Sequence, residues 1–228
     1  MARFSRLQVL NTLIQKGLIA ILYHRDIDVI MRAVSGCVDG GSDVFEFTNR
    51  GDGALRTFEE LLRRCRAEFP DLAVGVGSIG DPHVAAGFLS AGADFVVSPV
   101  WNPELARLCN SVKVPLIPGC GSVTEIAAAE SMGCELVKLF PAGGLGGPGF
   151  IRAVLGPRPW TRIVPTGGVA PEEQNVKGWI EAGAACLGIG SKMYDVKALE
   201  AGADRGLVDR VANVLRWIRE ARGENWRI

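Results

Sequence analysis

The amino-acid sequence predicts an α/β protein, a (β/α)8 TIM barrel with an N-terminal helix and a C-terminal helical extension. The first observation is that eight short apolar runs recur along the 228 residues at intervals of roughly 20 to 30, the length of a strand-plus-helix unit. Each run is too short for a buried helix and is rich in Val, Ile, Leu or Phe, as buried strands are. The runs are Leu18–Tyr23, Val44–Thr48, Ala73–Ser78, Phe95–Pro99, Pro115–Pro118, Leu136–Phe140, Arg162–Pro165 and Cys186–Ile189.

Small, glycine-containing tetrapeptides before several of these runs are the second observation. Glycine fits the end of a helix, where φ is often positive, so each tetrapeptide indicates a helix ending before a strand. Eight such units favour a closed parallel barrel over an open doubly wound sheet. The open sheet usually carries GxGxxG after its first strand, whereas this chain has YHRDID there and GVGSIG only after the third strand. The tetrapeptides are GGSD at 40–43, AGAD at 91–94, MGCE ending at residue 135 and AGAA at 182–185.

The two ends of the chain predict helices outside the eight units. Apolar residues recur near helical spacing between Leu7 and Ile14, which indicates a short amphipathic helix. The tail from Val196 onward has the same character and predicts a terminal amphipathic helix. Because no linker-like or low-complexity segment separates these parts, we expect a single domain over residues 1–228.

Composition and charge limit the classes of partner. Lys plus Arg and Asp plus Glu both number 25, so the net charge is zero, which argues against a basic nucleic-acid surface. No apolar run approaches the roughly 20 residues that cross a bilayer. Six scattered cysteines without a CxxC pair indicate reduced core residues. We therefore expect a cytoplasmic protein with a small-molecule substrate and with neither a nucleic-acid nor a membrane partner.

A lysine inside the sixth apolar run is the first candidate for chemistry, because barrels place their active sites at the C-terminal ends of the strands. Strand alternation puts Lys138 on the same face as Leu136 and Phe140. Burial lowers the pKa of a lysine and leaves more neutral amine, which is the form that attacks a carbonyl to give a Schiff base. The alternative is a structural lysine paired with a carboxylate.

The second run supplies a carboxylate for the same interior. Alternation puts Glu46, Thr48 and Arg50 on one face, while Phe45 and Phe47 point toward the helices. A carboxylate beside a reactive amine can move the protons that carbinolamine formation and breakdown require. Arg50, at the strand end, could hold a substrate carboxylate through two hydrogen bonds. The alternative is a buried Glu46–Lys138 ion pair without chemistry.

Two glycine-rich loops predict a phosphate site. VPTGGV at 164–169 and LGIGSKM at 187–193 follow the seventh and eighth runs, where such barrels usually bind phosphate. Glycines let backbone N–H groups approach an anion, and Ser191 could add a hydroxyl and open the next helix. The alternative is two turns that need glycine only for tight geometry. Ser78, at the end of the third run, could donate to a substrate oxygen or merely cap its strand.

Metal chemistry has little support in the sequence. The two histidines, His24 and His83, lie in different units, so a three-histidine site is impossible, and HExxH is absent. A nucleophile elbow and a Walker A loop are absent as well. We therefore expect neither a metal nor another cofactor.

Taken together, the motifs resemble those of the 2-keto-3-deoxy-6-phosphogluconate (KDPG) and 2-keto-4-hydroxyglutarate (KHG) aldolases. The similarity runs from about Gly17 to Tyr194, and the order and spacing of the motifs are highly specific. That family comprises class I aldolases on a (β/α)8 barrel, generally trimeric, so the resemblance implies a homotrimer that acts without a cofactor. The motifs are VFEFTNR, AVGVGSI, DFVVSP, PLIPGCGSVTE, VKLFPA, VPTGGV and LGIGS.

The resemblance also implies roles for individual residues. The Schiff-base lysine of the family falls on Lys138, its catalytic glutamate on Glu46, and an arginine that holds the pyruvate carboxylate on Arg50. Ser78 stands where the family has Thr and keeps the hydroxyl. The remaining matches are Pro99 and Phe140 in the pyruvyl pocket, and Thr166, Gly167, Gly168, Gly190 and Ser191 in the loops that contact substrate hydroxyls and phosphate.

The implied reaction is retro-aldol cleavage of KDPG to pyruvate and glyceraldehyde 3-phosphate, with 4-hydroxy-2-oxoglutarate as a second expected substrate. Two positions depart from the family pattern: Tyr23 stands where some members have Arg, and Gly51 stands where others have Thr. These departures leave the preferred substrate open. Two alternatives also stay open: a phosphate-binding barrel of isomerase or thiamine-phosphate-synthase type, and a non-catalytic binder of phosphorylated sugar acids.

Overall fold

The computed structural model of the protein describes residues 1–223 and has an α/β fold in which strands and helices alternate. Residues 224–228 of the expected domain lie outside the described residues. The strands are β1 (Leu18–Leu22), β2 (Val44–Thr48), β3 (Ala73–Gly77), β4 (Val96–Val97), β5 (Leu116–Ile117), β6 (Gly119–Cys120), β7 (Val137–Leu139), β8 (Ile163–Pro165) and β9 (Leu187–Ile189). The α-helices are α1 (Arg6–Lys16), α2 (Ile27–Asp39), α3 (Ala54–Glu68), α4 (Pro82–Ala91), α5 (Pro103–Ser111), α6 (Val123–Ser131), α7 (Pro148–Leu155), α8 (Glu173–Glu181), α9 (Val196–Glu200) and α10 (Leu207–Arg222).

All strand pairs are parallel and form two sheets. One sheet has the order β5-β4-β3-β2-β1-β9, and the other has the order β6-β7-β8. Between β8 and β9, Thr166 and Gly188 form an isolated parallel bridge, and the Ala185 N–H donates to the Ile163 carbonyl at 2.9 Å. The carboxyl ends of all these strands consequently point in the same direction, which gathers their following loops at one end of the fold.

Pro118 separates the fifth predicted strand from a further short strand. The predicted run Pro115–Pro118 contains β5, which ends before this proline, and the strand β6, which was not predicted, begins directly after it. Proline has no N–H to contribute to a ladder, although the Pro118 carbonyl still accepts a hydrogen bond from the Lys138 N–H at 2.8 Å. The segment therefore pairs with β4 before Pro118 and with β7 after it. Each of the other seven predicted runs contains one strand.

Buried apolar side chains lie in two layers on either side of the strands. Phe45 and Phe47 are fully buried in the outer layer, against helical residues such as Phe58. Alternation along the strands separates this layer from an inner cluster, as the sequence predicts. The inner cluster consists of Ile19, Ile21, Val44, Phe95, Val97, Ile117, Leu136, Val164 and Cys186, together with Val9, Leu10, Leu13 and Ile14 of α1.

Helix α1 covers the end of the inner cluster that lies opposite the strands' carboxyl ends. Just before α1, the N–H of Arg3 donates to the Asp94 carboxylate at 2.8 Å, and Asp94 precedes β4. Arg6 of α1 pairs at 2.7 Å with Glu135, which precedes β7. A hydrophobic face on a short helix needs a partner to be stable, and here the inner cluster supplies it. The carboxyl ends of the strands are not covered by this helix.

The C-terminal extension differs from its prediction in one respect. The expected single helix from Val196 onward is divided into α9 and α10, and Gly202 in the connection has φ 126°, which a helix cannot contain. Helix α10 packs its apolar face onto the outer layer through residues such as Val211 and Ile218. In the part of the chain from residue 1 to 223, no helix has the length and apolar character needed to span a membrane.

Candidate active site

A cavity of about 400 Å³ opens at the carboxyl ends of the strands. Every residue that the sequence analysis assigns to catalysis or binding lines it. A larger cavity, of about 480 Å³, lies at the opposite ends of β8 and β9 near Arg162 and Ala185, and none of the predicted residues lines that one. The predicted residues that the first cavity brings together are Glu46, Arg50, Ser78, Pro99, Lys138, Phe140, Thr166, Gly167, Gly168, Gly190 and Ser191.

Lys138 projects into this cavity from the middle of β7. The strand is paired on both sides, with Gly119 of β6 and Val164 of β8 opposite Lys138, so its backbone is fixed. The residue is only 7% exposed, and its Nζ lies 4.8 Å from the centre of the Phe140 ring. Burial lowers the pKa of Lys138; the nearby Arg50 charge adds to this effect, and the Glu46 carboxylate opposes it. A larger share of neutral amine is therefore present than in an ordinary lysine.

Glu46 projects into the same cavity from β2, which is held between β1 and β3. The residue is 1% exposed, and its Oε2 atom has no hydrogen-bond partner among residues 1–223. Burial raises the pKa of Glu46, although the charges of Lys138 and Arg50 oppose this shift. A buried carboxyl with a raised pKa and an oxygen without a hydrogen-bond partner can accept and return a proton.

Glu46 and Lys138 do not form a direct ion pair. The ion pairs closer than 4.0 Å between described residues do not include this one, although each group influences the pKa of the other. The two groups therefore face a shared space instead of closing on each other. This geometry suits a reaction in which a substrate carbon lies between an amine and a proton carrier.

Arg50 and Ser78 lie side by side at the ends of β2 and β3. The Arg50 Nε–H donates to the Ser78 hydroxyl at 3.4 Å, a long bond that a substrate oxygen could replace. Ser78 has φ 62°, a left-handed conformation that is uncommon for a residue other than glycine and that clusters at functional sites. An arginine fork and a hydroxyl together can bind a carboxylate.

The two glycine-rich loops face the same cavity. Gly167 and Gly168 have φ values of 81° and 94°, so this turn requires glycine at both positions. Ser191 begins a short 3₁₀-helix, Ser191–Met193, after β9. The bridge between Thr166 and Gly188 holds the two loops next to each other, as an anion site built from both would need.

The cavity also contains residues that the sequence analysis did not assign to the site. Thr48 and Lys192 line it, and so does Tyr23, which the sequence analysis noted only as a departure from the family pattern. Lys192 could have been predicted from the sequence, because a basic residue directly after the proposed anion-binding Ser191 itself indicates an anion site. Tyr23 could not be assigned from spacing, because its side-chain direction depends on packing between two loops.

Comparison with known proteins identifies the family. The model of the KDPG and KHG aldolase family matches residues 9–211. The chain is 31% identical over 166 residues to the 2-dehydro-3-deoxy-phosphogluconate aldolase of Haemophilus influenzae, covering 73% of this chain and 76% of that protein. It is 34% identical over 166 residues to the KHG/KDPG aldolase of Escherichia coli, covering 72% and 75%.

A solved structure agrees with these relatives. The KDPG aldolase of Legionella pneumophila, with pyruvate captured as a covalent carbinolamine intermediate, superimposes with a TM-score of 0.75 at 25% identity, covering 92% of this chain and 96% of that one. The fold, the family match and the curated relatives therefore agree. The chain belongs to the KDPG and KHG aldolase family.

Proposed function

We propose that this protein is a class I aldolase that cleaves 2-keto-3-deoxy-6-phosphogluconate to pyruvate and glyceraldehyde 3-phosphate. The observation that carries the proposal is the placement of Lys138 and Glu46, both buried, in one cavity without a direct ion pair. 4-Hydroxy-2-oxoglutarate, which would give pyruvate and glyoxylate, is a second substrate of the same chemistry.

The neutral amine of Lys138 attacks the C2 keto group and forms a carbinolamine. Loss of water then gives a protonated imine, and Glu46 carries the protons that these two steps exchange. Glu46 accepts the proton of the C4 hydroxyl, the C3–C4 bond breaks, and its electron pair moves into the imine. The aldehyde leaves, Glu46 returns the proton to C3 of the enamine, and water then hydrolyses the imine, which releases pyruvate and restores the lysine. None of these steps requires a cofactor. The absence of a cofactor remains a prediction.

The rest of the cavity holds the two ends of the substrate. Arg50 and Ser78 bind the carboxylate next to C2, and Pro99 and Phe140 enclose the pyruvyl group. Thr166 contacts a hydroxyl of the chain. The loops that contain Gly167, Gly168, Gly190 and Ser191 bind the terminal phosphate through backbone N–H groups and the serine hydroxyl.

Two other functions would use the same phosphate loops. A barrel of isomerase or thiamine-phosphate-synthase type, or a non-catalytic binder of phosphorylated sugar acids, needs no buried lysine in a strand. The low exposure and lowered pKa of Lys138 favour the aldolase over both.

We also propose a closed (β/α)8 barrel in a single domain, and a cytoplasmic homotrimer. The split segment around Pro118 and the Thr166–Gly188 bridge, which adjoin the edges of the two sheets, support closure. Exposed apolar side chains such as Val84 and Val100 offer surface for an assembly. Light scattering after size-exclusion chromatography tests the trimer. The six free, buried cysteines support a reducing compartment.

Trapping with borohydride tests the mechanism directly. We expect that incubation with pyruvate and borohydride adds one reduced pyruvate to the intact protein, and that peptide mapping places it on Lys138. Lys138→Met should form no adduct, whereas Lys177→Ala, which removes a half-buried lysine of α8 that pairs with Glu173 and Glu220, should form it normally. Folded protein that gives no adduct, or an adduct on another lysine, contradicts the proposal.

A further inference from the structure

Gly51 is a glycine whose backbone does not require one. Its φ lies outside the left-handed region, so a side chain is allowed there by the backbone. The obstacle is Tyr23: a Cβ built on Gly51 would lie 1.9 Å from the Tyr23 hydroxyl oxygen and 3.0 Å from its Cζ. Residue 51 is therefore small because the tyrosine occupies the space of its side chain.

The position of Tyr23 is set by strand order and by packing. Tyr23 follows β1, which pairs with β2 on one side and with β9 on the other. Its half-buried ring contacts the Phe47 ring, with centres 5.9 Å apart and planes at 51°. The ring therefore stands on the cavity wall between the loop of Arg50 and the loop of Ser191. Among residues 1–223, its hydroxyl makes no hydrogen bond.

The path of a bound substrate follows from the same geometry. A chain whose carboxylate lies at Arg50, after β2, and whose phosphate lies at Ser191, after β9, passes the end of β1, because β1 lies between these two strands. Tyr23 stands at the end of β1, so the part of the chain beyond C4 runs past its hydroxyl. A phenol that is fixed by packing and has an unused hydrogen bond is suited to bind a polar group there at small entropic cost.

We propose that Tyr23 and Gly51 form one specificity element, in which the Tyr23 hydroxyl binds the hydroxylated, phosphate-terminated part of the substrate beyond C4. This inference rests on the proposed aldolase function and names the part of the substrate that the element recognises. Gly51 contributes by leaving the space that Tyr23 occupies. A larger residue at position 51 is compatible only with a smaller residue at position 23.

The first test compares two substrates in Tyr23→Phe. We expect a rise in KM of about three- to ten-fold for 2-keto-3-deoxy-6-phosphogluconate, the size of one lost hydrogen bond, with little change in kcat. Cleavage of 4-hydroxy-2-oxoglutarate, which has no phosphate-terminated extension, should be unchanged. An equal loss on both substrates, or no loss on either, overturns the proposal.

The second test is a double-mutant cycle on position 51. Gly51→Thr alone should lower kcat/KM for the phosphorylated substrate at least about ten-fold, because Tyr23 must move; in a Tyr23→Ser background the same change should cost less than about three-fold. Gly178→Ala in α8, where an added Cβ meets nothing within 4 Å, is the matched control and should leave activity unchanged. Additive losses in the cycle contradict the coupling.

Pyruvate trapping separates failure of this inference from failure of the proposed function. Every Tyr23 and Gly51 variant that folds, as judged by thermal unfolding, should still form the reduced adduct on Lys138. If the unsubstituted protein forms no adduct, the aldolase function fails. If the adduct forms but neither the substrate comparison nor the cycle behaves as described, the function stands and only the role of Tyr23 and Gly51 is lost.

Discussion

Gly77 lies directly beneath the carboxylate of Glu46: a Cβ built on Gly77 would stand 1.8 Å from Oε1 and 2.6 Å from Cδ of the glutamate. Gly77 does not have a left-handed φ, so its backbone would accept a side chain. Position 77 therefore needs glycine for a different reason, namely the close approach of the Glu46 side chain. This glycine lets the glutamate of β2 lie against β3, where its buried Oε2 has no hydrogen-bond partner among residues 1–223.

Alanine at position 77 should displace the proton carrier without removing it. We expect Gly77→Ala to lower kcat by about ten- to one hundred-fold with a small effect on KM, because a shift of about 1 Å in a catalytic group costs rates of this order. Gly149→Ala, where an added Cβ meets nothing within 4 Å, is the matched control. Steady-state kinetics on both variants measure these changes in kcat and KM. An unchanged kcat in Gly77→Ala would mean that catalysis does not depend on the position of the Glu46 carboxylate over Gly77.

The two charges near Lys138 should shift its pKa in opposite directions. The Glu46 carboxylate raises the pKa of Lys138 and the Arg50 charge lowers it, while burial gives the largest effect. Removing the negative charge in Glu46→Gln should therefore lower this pKa further, and removing the positive charge in Arg50→Gln should raise it.

The rate at which a neutral arylating reagent modifies Lys138, followed by peptide mass mapping across a pH series, measures this pKa without turnover. The midpoint should move to lower pH in Glu46→Gln and to higher pH in Arg50→Gln. Shifts in the same direction would contradict the electrostatic account, because a general loosening of the cavity would move both midpoints toward that of an exposed lysine.

Strand alternation made the centre of the site predictable, since period two fixes which residues share a face. Lys138 and Glu46 could thus be placed together from their own strands. The change of strand partner at Pro118 could not be predicted. It depends on the missing N–H of this proline, and β5 and β6 are each too short to show a periodic pattern. The contact of Tyr23 with Gly51 joins two loops, and its geometry comes from packing on Phe47, which spacing does not encode.

Ser191, a proposed phosphate contact, and the neighbouring Lys192, which we expect to attract the same phosphate, should differ in the salt dependence of their effects. Ser191→Ala removes an uncharged donor, and Lys192→Ala removes an exposed charge at the same cavity. We expect each to raise KM for the phosphorylated substrate by about three- to thirty-fold. The effect of Lys192→Ala should shrink between low and high ionic strength because salt screens exposed charges, whereas the effect of Ser191→Ala should persist. An equal loss on a non-phosphorylated 2-keto acid would contradict both phosphate roles.

The cysteines should be inert while the protein is folded. All six are free and buried, and burial raises the pKa of each thiol to about 12, so almost none is thiolate at pH 8. A chromogenic disulfide reagent should therefore titrate no thiol in the native protein and six in denaturant. Aldolase activity should survive the native treatment, because the proposed nucleophile is an amine. Rapid modification of one thiol with parallel loss of activity would contradict this burial and would indicate a cysteine at the reacting centre in place of Lys138.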